Sequence, residues 1–472
     1  VTGATEGAAA RPARPRALAL LVGGALFMEM LDGTIVATAV PQMAQSFAVA
    51  PVDLNLGMTA YLLTVSACIP LSGWATDRFG ARRAFCTAVI LFALASLACG
   101  ASQNFGQFVA ARIVQGLGGA LMMPVGRLVV LRSAPRSELM RTMSLLTWPA
   151  LLAPTVAPVL GGMLVDHASW RWIFYINLPL GAVALGFALA LMPGRDQVPP
   201  PPLDLIGLAL WAGTTASLIL ALEGLFRLSA AQLALLLGLA IVLGALAWRH
   251  FARRTDPLLD FGVLRWPSFA LAIRSGSLFR TAIMSNPFLL PLFFQLGLGM
   301  RASDAGLLIA AGTIGNIGMK PLTSPILRRF GFRRVLLVNG WIAGLSFVLC
   351  GWIAATTPLW ATALLLIASG ASRSLQFTAL NTIAFVDVPG PETANANTLF
   401  SAFMQLNGAA GVALGAAALQ WGGMLLPEPD LARDFAFAFA VIGVVMLLGT
   451  FGVHRLHRDA GALLTRAPEP AL

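Results

Sequence analysis

Apolar runs of about 20 residues, each closed by a short polar connector, recur from one end of this chain to the other. A run of that length crosses a hydrocarbon layer of about 30 Å as one helix. Strands are excluded as the spanning element, because the runs are continuously apolar and do not alternate. Inside lipid the backbone must satisfy its own hydrogen bonds, which leaves the helix. Composition points the same way: 58% of the 472 residues are hydrophobic and 11% are charged, against roughly 25% charged in a soluble domain. The sequence therefore predicts an all-α integral membrane protein.

The pattern predicts about fourteen spans, the first at 17–41 and the last at 433–453. Those at 54–75, 84–102, 142–165, 268–297 and 303–323 matter most below. Basic residues test the count independently. With the N-terminus in the cytoplasm, inward connectors collect Arg78, Arg82 and Arg83, then Arg132, Arg136 and Arg141, then Arg328, Arg329, Arg333 and Arg334. Outward connectors hold only Arg171, Arg227, Arg301 and Arg433. A miscounted helix would scramble this alternation, so both termini are expected to be cytoplasmic.

The net charge of +11 raises nucleic acid as a partner. The charge sits in connectors beside the spans, however, where anionic headgroups favour it, and no nucleic-acid role is expected. The apolar run after Arg16 is too long for a signal peptide and carries acids, so it is expected to stay as the first helix. Cys68, Cys86, Cys99 and Cys350 lie in apolar runs without metal-ligand spacing and read as small buried hydrophobes.

The chain divides into a cytoplasmic tail (1–16), a six-helix bundle (17–192), a linker (193–267), a second six-helix bundle (268–453) and a cytoplasmic tail (454–472). The linker opens on the proline-rich 193–202, holds two extra spans of nearly pure aliphatic character, and ends in a basic stretch over 248–267. A faint repeat links the bundles. Asp77-Arg78-Phe79-Gly80-Ala81-Arg82-Arg83 and Arg328-Arg329-Phe330-Gly331-Phe332-Arg333-Arg334 match at five of seven positions and occupy corresponding connectors. The first copy belongs to a dense polar hairpin, Gly73 to Arg83, whose two glycines allow a tight turn. Its Asp77 is expected to accept hydrogen bonds from arginines or a helix N-terminus in one conformation only, acting as a latch. A solvated surface charge is the plain alternative.

Charges inside spans are costly, at least about 2.5–3.5 kcal/mol at the bilayer centre, and so mark partners or cavities. Asp32 lies 9 residues before Pro41, and Arg112 lies 7 after Phe105. At about 1.5 Å per residue both sit roughly 10–14 Å below the outer boundary, which predicts a pair. Glu29 shares a helix face with Asp32. In the second bundle Arg274, Arg280, Lys320 and Arg373 fall within spans with no matching acid, apart from Asp387 at an inner end. Lys320 and Arg274 are near enough to the cytoplasmic side to snorkel. Arg280 and Arg373 are expected to line a cavity with Trp148, Gln295, Gln376, Phe377, Asn381, Phe403, Gln405 and Asn407.

Four further patterns carry a family resemblance. The first span holds Leu31-Asp32-Gly33-Thr34-Ile35-Val36-Ala37-Thr38-Ala39-Val40-Pro41, and the 73–83 connector has the form G-x-x-x-D-R-x-G-x-R-R. The fourth span holds Arg112-Ile113-Val114-Gln115-Gly116-Leu117-Gly118-Gly119-Ala120. The fifth holds Pro149, Pro154, Pro158, Gly161 and Gly162, followed by Trp170-Arg171-Trp172-Ile173-Phe174-Tyr175-Ile176-Asn177. In this order the chain resembles the major facilitator superfamily, in particular its fourteen-helix drug:proton antiporters of the EmrB/QacA-like and MdtD-like kind. Glu29, an extra acid, and Val40, where the family has leucine, depart from the pattern.

The resemblance implies two six-helix bundles plus two extra helices in a bacterial inner membrane. Its expected activity is multidrug efflux by alternating access, driven by the proton gradient with no cofactor. Asp32, Arg112 and Glu29 would couple protons, Gly73, Asp77, Arg78, Gly80, Arg82 and Arg83 would form the latch, and the proline/glycine helix would gate. A static ion pair is the alternative for Asp32 and Arg112. Expected partners are a small-molecule substrate, protons and the lipid bilayer, with the chain acting as a monomer and the need for a periplasmic accessory protein left open. The excess of cations in the second bundle also allows export of organic anions or metal–acid chelates. A self-contained ATP pump is disfavoured because G-x-x-x-x-G-K-[ST] is absent, and an enzyme because no nucleophile triad or His/Cys/Asp cluster occurs.

Overall fold

A computed structural model describes residues 15–49, 54–135, 138–192, 202–224, 228–300, 302–425, 430–457 and 460–461. Arg136, Arg227, Arg301, most of the proline-rich connector and most of both tails lie outside the described residues. The described residues form helices and no strand. Ten helices are long and apolar enough to cross a membrane, or eleven if one bent pair is a single span.

The chain forms two compact units. The first comprises 1–65, 71–134 and 145–203, and the second 66–70, 135–144 and 204–472. In the first lie α1 (Pro15–Phe47), most of α2 (Asn55–Cys68), α3 (Leu71–Phe79), α4 (Ala81–Ala101), α5 (Phe105–Ser133), most of α6 (Leu139–His167), the short α7 (Trp172–Tyr175) and α8 (Asn177–Leu191). In the second lie α9 (Leu205–Glu223), α10 (Ala230–Arg253), α11 (Pro267–Met284), α12 (Asn286–Leu292), α13 (Ala302–Phe330), α14 (Phe332–Cys350), α15 (Leu359–Ile383), α16 (Thr393–Leu425) and α17 (Leu431–Phe451).

Three sequence expectations need correction. First, α1 does not end at Pro41 but runs on to Phe47. Phe47 then packs on Phe108 and Trp170, with ring centroids 5.7 and 5.3 Å away, so apolar burial carries the helix past the proline. Second, the span expected at 54–75 is two helices bent by 59° at Ile69–Pro70. Proline lacks the N–H that would continue the ladder and crowds the preceding turn. Third, the polar hairpin at Gly73–Arg83 is not a hairpin. Gly73, Asp77 and Arg78 belong to α3, Arg82 and Arg83 belong to α4, and Gly80 alone separates the two helices.

Gly80 turns the chain at φ +82°, a left-handed value that favours glycine. Its N–H caps the carbonyl of Thr76 at 2.8 Å, and its own carbonyl receives Ala84 N–H at 3.0 Å. The second copy of the repeat does the same at Gly331, φ +74°, with Leu327 and Val335 at 2.9 and 3.2 Å. The sequence repeat is thus also a backbone repeat.

The predicted spans at 142–165, 268–297 and 303–323 fall on α6, on α11 with α12, and on α13, none of which is among the ten. Helices α11 and α13 carry Arg274, Arg280, Asn316, Lys320 and several hydroxyl side chains, which lower the apolar average that marks a span. The helices α9 and α10 pack together within the second unit. Asp204 caps α9 through Gly207 N–H and holds His250 at 2.9 Å and Arg254 at 3.5 Å, which ties the two helix ends together. Leu235, Ile241 and Val242 of α10 are exposed, a face suited to acyl chains. The stretch that follows is pinned: Arg265 and Trp266 donate to Glu392 at 2.5 and 2.8 Å, and Ser268 N–H donates to Asp387 at 3.1 Å.

Candidate functional site

In the first unit the buried charges converge. Helix α1 carries Asp32 with its side chain shut off from solvent, and α5 carries Arg112 equally buried. Asn104 caps α5 through Gln107 N–H at 2.9 Å, fixing where the helix begins and hence which residues face α1. Arg112 Nη1 donates to Asp32 Oδ2 at 2.7 Å. One turn along α5, Gln115 Nε2 donates to Asp32 Oδ1 at 2.9 Å, and the first residue of α8, Asn177, donates to the same oxygen at 2.8 Å.

Gln115 ties the cluster together. Its oxygen accepts from Arg112 at 2.6 Å, and its nitrogen also reaches Ser96 Oγ on α4 at 2.8 Å. Arg112 Nε donates to Gly57 O at 3.4 Å, and its guanidinium carbon lies 4.4 Å from the centre of the Tyr61 ring. Tyr61 continues the chain of polar groups by donating to Glu29 Oε1 at 3.5 Å. The other Glu29 oxygen is buried with no hydrogen-bond partner, and Arg127 on α5 lies within electrostatic reach of Glu29. Asp32 and Arg112, expected to pair from depth, and Glu29, expected on the same helix face as Asp32, therefore share one network.

Chemically the network surrounds a carboxylate. Three N–H donors meet the two oxygens of Asp32, and all three suit the ionised acid. Oδ1 takes two of these donors and Oδ2 one, so a proton added to Asp32 would go to Oδ2, beside the Arg112 guanidinium. Glu29, with one free oxygen and a phenol as neighbour, is the less constrained acid of the two.

Helix α6 packs its glycine face on α1. A side chain at Gly161 would collide with Thr38 and Ile35, whereas one at Gly162 would meet nothing within 4 Å. Pro149 lies against Gly23 of α1. The side chains of Pro154 and Pro158 lie outside the described residues. The residues expected as a latch sit on α3 and α4: Asp77 and Arg82 are half-buried, while Arg78 and Arg83 are exposed.

The residues expected to line a cavity are scattered across both units. Trp148 in the first unit is exposed. In the second, Gln295 is exposed, and Arg373, Phe377, Asn381, Phe403 and Gln405 are half-buried. Gln376 is spent on the α14–α15 seam, accepting from Asn339 at 3.0 Å and donating to Leu336 O at 2.9 Å. Asn407 joins α16 to α11 through Ser277 and Thr281 at 3.1 and 3.4 Å. Arg280 donates to Ala272 O and Asn381 Oδ1 at 2.7 and 3.0 Å and stands over the Phe400 ring.

Gln115 and Asn177, quoted in the motifs without a role, and Ser96 and Tyr61, not singled out at all, are further members of the Asp32 network. Signals existed. Gln115 is three residues from Arg112, Asn177 ends the aromatic run after α6, and Tyr61 is one of only two tyrosines in the chain.

Known proteins resemble this chain along nearly its whole length. The family model described as Major Facilitator Superfamily matches residues 22–412, and again 275–471. A multidrug resistance protein MdtD of Pectobacterium atrosepticum is 36% identical over 458 residues, 95% of this chain and 97% of the relative. The MdtD of Escherichia fergusonii is 37% identical over 449 residues, 93% and 94% of the two chains. Among solved structures, the human organic anion transporter MFSD10 superposes with a TM-score of 0.64 at 15% identity, covering 93% of this chain and 99% of that one, a likeness of fold. A helical chain with a buried charge network, matched along nearly its whole length by this family, is a membrane transporter rather than an enzyme, and it belongs to the Major Facilitator Superfamily.

Proposed function

We propose that the chain is a proton-coupled exporter of small amphipathic organic compounds, working by alternating access in a bacterial inner membrane. The observation that carries this reading is the buried Asp32–Arg112 pair at 2.7 Å, continued through Tyr61 to Glu29. A carboxylate that trades a guanidinium for a proton is a coupling device: it accepts a proton while open to the outside and releases it to the cytoplasm. One charge moved across 100 mV is worth about 2.3 kcal/mol, enough to drive export with no cofactor and no ATP. The MdtD name of the relatives supports efflux as the direction.

In this reading fourteen spans place both termini in the cytoplasm, as two six-helix bundles with α9 and α10 added. Helices α11 with α12 and α13 supply spans that their polar content disguises, and α6, several of whose side chains lie outside the described residues, supplies another. The α3–Gly80–α4 corner acts as the latch, and Gly161 of α6 lets α1 and α6 approach as the protein rocks. The chain acts as a monomer, and a periplasmic accessory protein would be needed only where cargo must cross a second membrane.

The test is proteoliposome transport with an imposed pH gradient. Asp32→Asn is expected to keep the fold and lose at least tenfold in gradient-driven export. Unchanged pH-dependent transport in that variant removes Asp32 from the mechanism.

A second reading, export of organic anions, is supported by the charge imbalance of the second unit. Its membrane helices hold Arg274, Arg280, Lys320 and Arg373, while acids appear only in end turns. The fold likeness to an organic anion transporter is compatible with it.

A further inference from the structure

Buried cations are treated differently in the two units. In the first, Arg112 has Asp32 and Arg127 has Glu29 nearby. In the second, the described helices α11, α12, α14, α15 and α16 contain no Asp or Glu at all. Asp304 and Asp434 stand in the first turns of α13 and α17. Lys320, 6% exposed, is 16 residues from Asp304, roughly 24 Å along the helix, and no carboxylate among the described residues forms an ion pair with it. Its ammonium has three donors, and the bond seen is to Thr378 Oγ1 at 2.8 Å.

Around it the seam between α13 and α15 is closely packed and polar. These helices run parallel at backbone contact: a Cβ at Gly315 would collide with the carbonyl of Ile367, and one at Gly370 with the carbonyl of Gly312. Ser374 donates to Asn316 O at 2.8 Å, and the Asn316 amide oxygen, one turn before Lys320, is buried without a partner. Arg373 is held back along α15 by its Nε–H to Ser369 O at 3.2 Å, its guanidinium beside Gly312. No acid among the described residues pairs with Arg373 either. One turn beyond Thr378, Asn381 accepts from Arg280, adding a third cation to the same stretch of α15.

The repeat shows that this charge is particular to the second half. Aligned on Gly80 and Gly331, Pro70 falls on Pro321 and Ile69 on Lys320. The close approach of Gly116 to Tyr61 O likewise mirrors that of Gly370 to Gly312 O, which places Arg373 at the position of Gly119. An aliphatic residue and a glycine serve the fold in one copy. The ammonium and the guanidinium in the other are therefore not needed to build the helix pair.

We propose that the α13–α15 seam is a binding seat for an organic anion, with Lys320 and Arg373 as two cationic stations and Thr378 and Asn316 as neutral hydrogen-bonding partners. The stations are separated by the stretch from Ser369 to Thr378, about 13 Å along α15. A carboxylate or sulfonate group offsets the charge at either one, and the unpartnered Asn316 oxygen takes a hydroxyl or N–H of the same ligand. The seat gives the anion reading its substrate class and rests on that reading for its purpose. Binding itself needs no gradient, so failure of proton coupling leaves this test untouched.

The experiment is fluorescence-polarisation binding to the full chain in lipid nanodiscs without a pH gradient. The probes are fluorescein and a rhodamine cation of the same xanthene frame. Fluorescein is expected to bind the wild type and to lose at least tenfold in affinity in Lys320→Gln and in Arg373→Gln, with the rhodamine cation unaffected or bound more tightly. Lys320→Arg, which keeps the charge, is expected to stay within threefold of wild type and serves if Lys320→Gln does not fold. Absent fluorescein binding, unchanged affinity in Arg373→Gln, or equal loss for both probes overturns the proposal.

Discussion

Both oxygens of Asp32 accept hydrogen bonds, and Gln115 is the side chain that reaches the most of its neighbours: Arg112, Asp32, Ser96 and Cys99. Replacing it by leucine keeps the volume but strands the polar groups around it. A buried group left without its partner costs about 1–3 kcal/mol. Gln115→Leu is therefore expected to destabilise the protein by that order, read as a lowered unfolding temperature in detergent. Thr34→Val is the control: Thr34 bonds carbonyls of its own helix, Met30 and Leu31, and its loss is expected to cost less than about 0.5 kcal/mol. The contrast explains what could be read at this scale. Asp32 and Arg112 stand out in a sequence because a charge in lipid demands a reason. Gln115, Ser96 and Asn177 do not, because neutral polar side chains are common in apolar helices and satisfy themselves cheaply on local carbonyls, as Thr34 does.

At the scale of elements, single glycines set the geometry. Gly80 is required by its positive φ of +82° with an extended ψ of 148°, a region that is essentially glycine's alone, and an L-residue there costs about 1–3 kcal/mol. Gly80→Ala is expected to lower thermal stability by that amount, and Gly331→Ala by a similar one, since both corners share their hydrogen bonds. Gly161 is required by contact instead. Gly161→Val is expected to disrupt the α1–α6 packing and lower folded yield, whereas Gly162→Val, into open space, is expected to be tolerated. Size-exclusion profiles of the purified variants would separate the two, and equal behaviour would refute the packing argument. The glycine in the repeated connector was legible as a turn. That only one of two glycines makes it, and that the polar residues around it are helical, was not. Arg, Asp and Phe next to Gly-x-Arg-Arg look like loop by polarity, while the hydrogen bonds of α3 and α4 close around Gly80 alone. Pro70 breaks its helix, yet Pro321 and Pro325 lie inside α13, so proline by itself did not tell where a helix ends.

For the whole molecule, the number of crossings decides how every polar group is presented, and it is the quantity on which local hydropathy is weakest. The helices that fail an apolar test, α11 and α13 among them, carry Arg274, Arg280, Asn316 and Lys320. Charged and polar side chains lower the apolar average of α11 and α13 below that of a span, whereas α1 and α5 hold the Asp32 network and still read as spans. Charge alternation is blind to that bias, because it samples the connectors rather than the spans. Fourteen spans with a cytoplasmic N-terminus put the turn after α14 outside and the turn after α15 inside. In a background with the four cysteines replaced by alanine, Thr356→Cys is expected to react with a membrane-impermeant maleimide in intact cells. Gly390→Cys is expected to react only after permeabilisation. If α13 does not cross, the parity downstream of it inverts and the two labels exchange. That exchange would leave the Asp32 network of the first unit intact while placing the Lys320 and Arg373 stations on the wrong side for an outward-directed substrate.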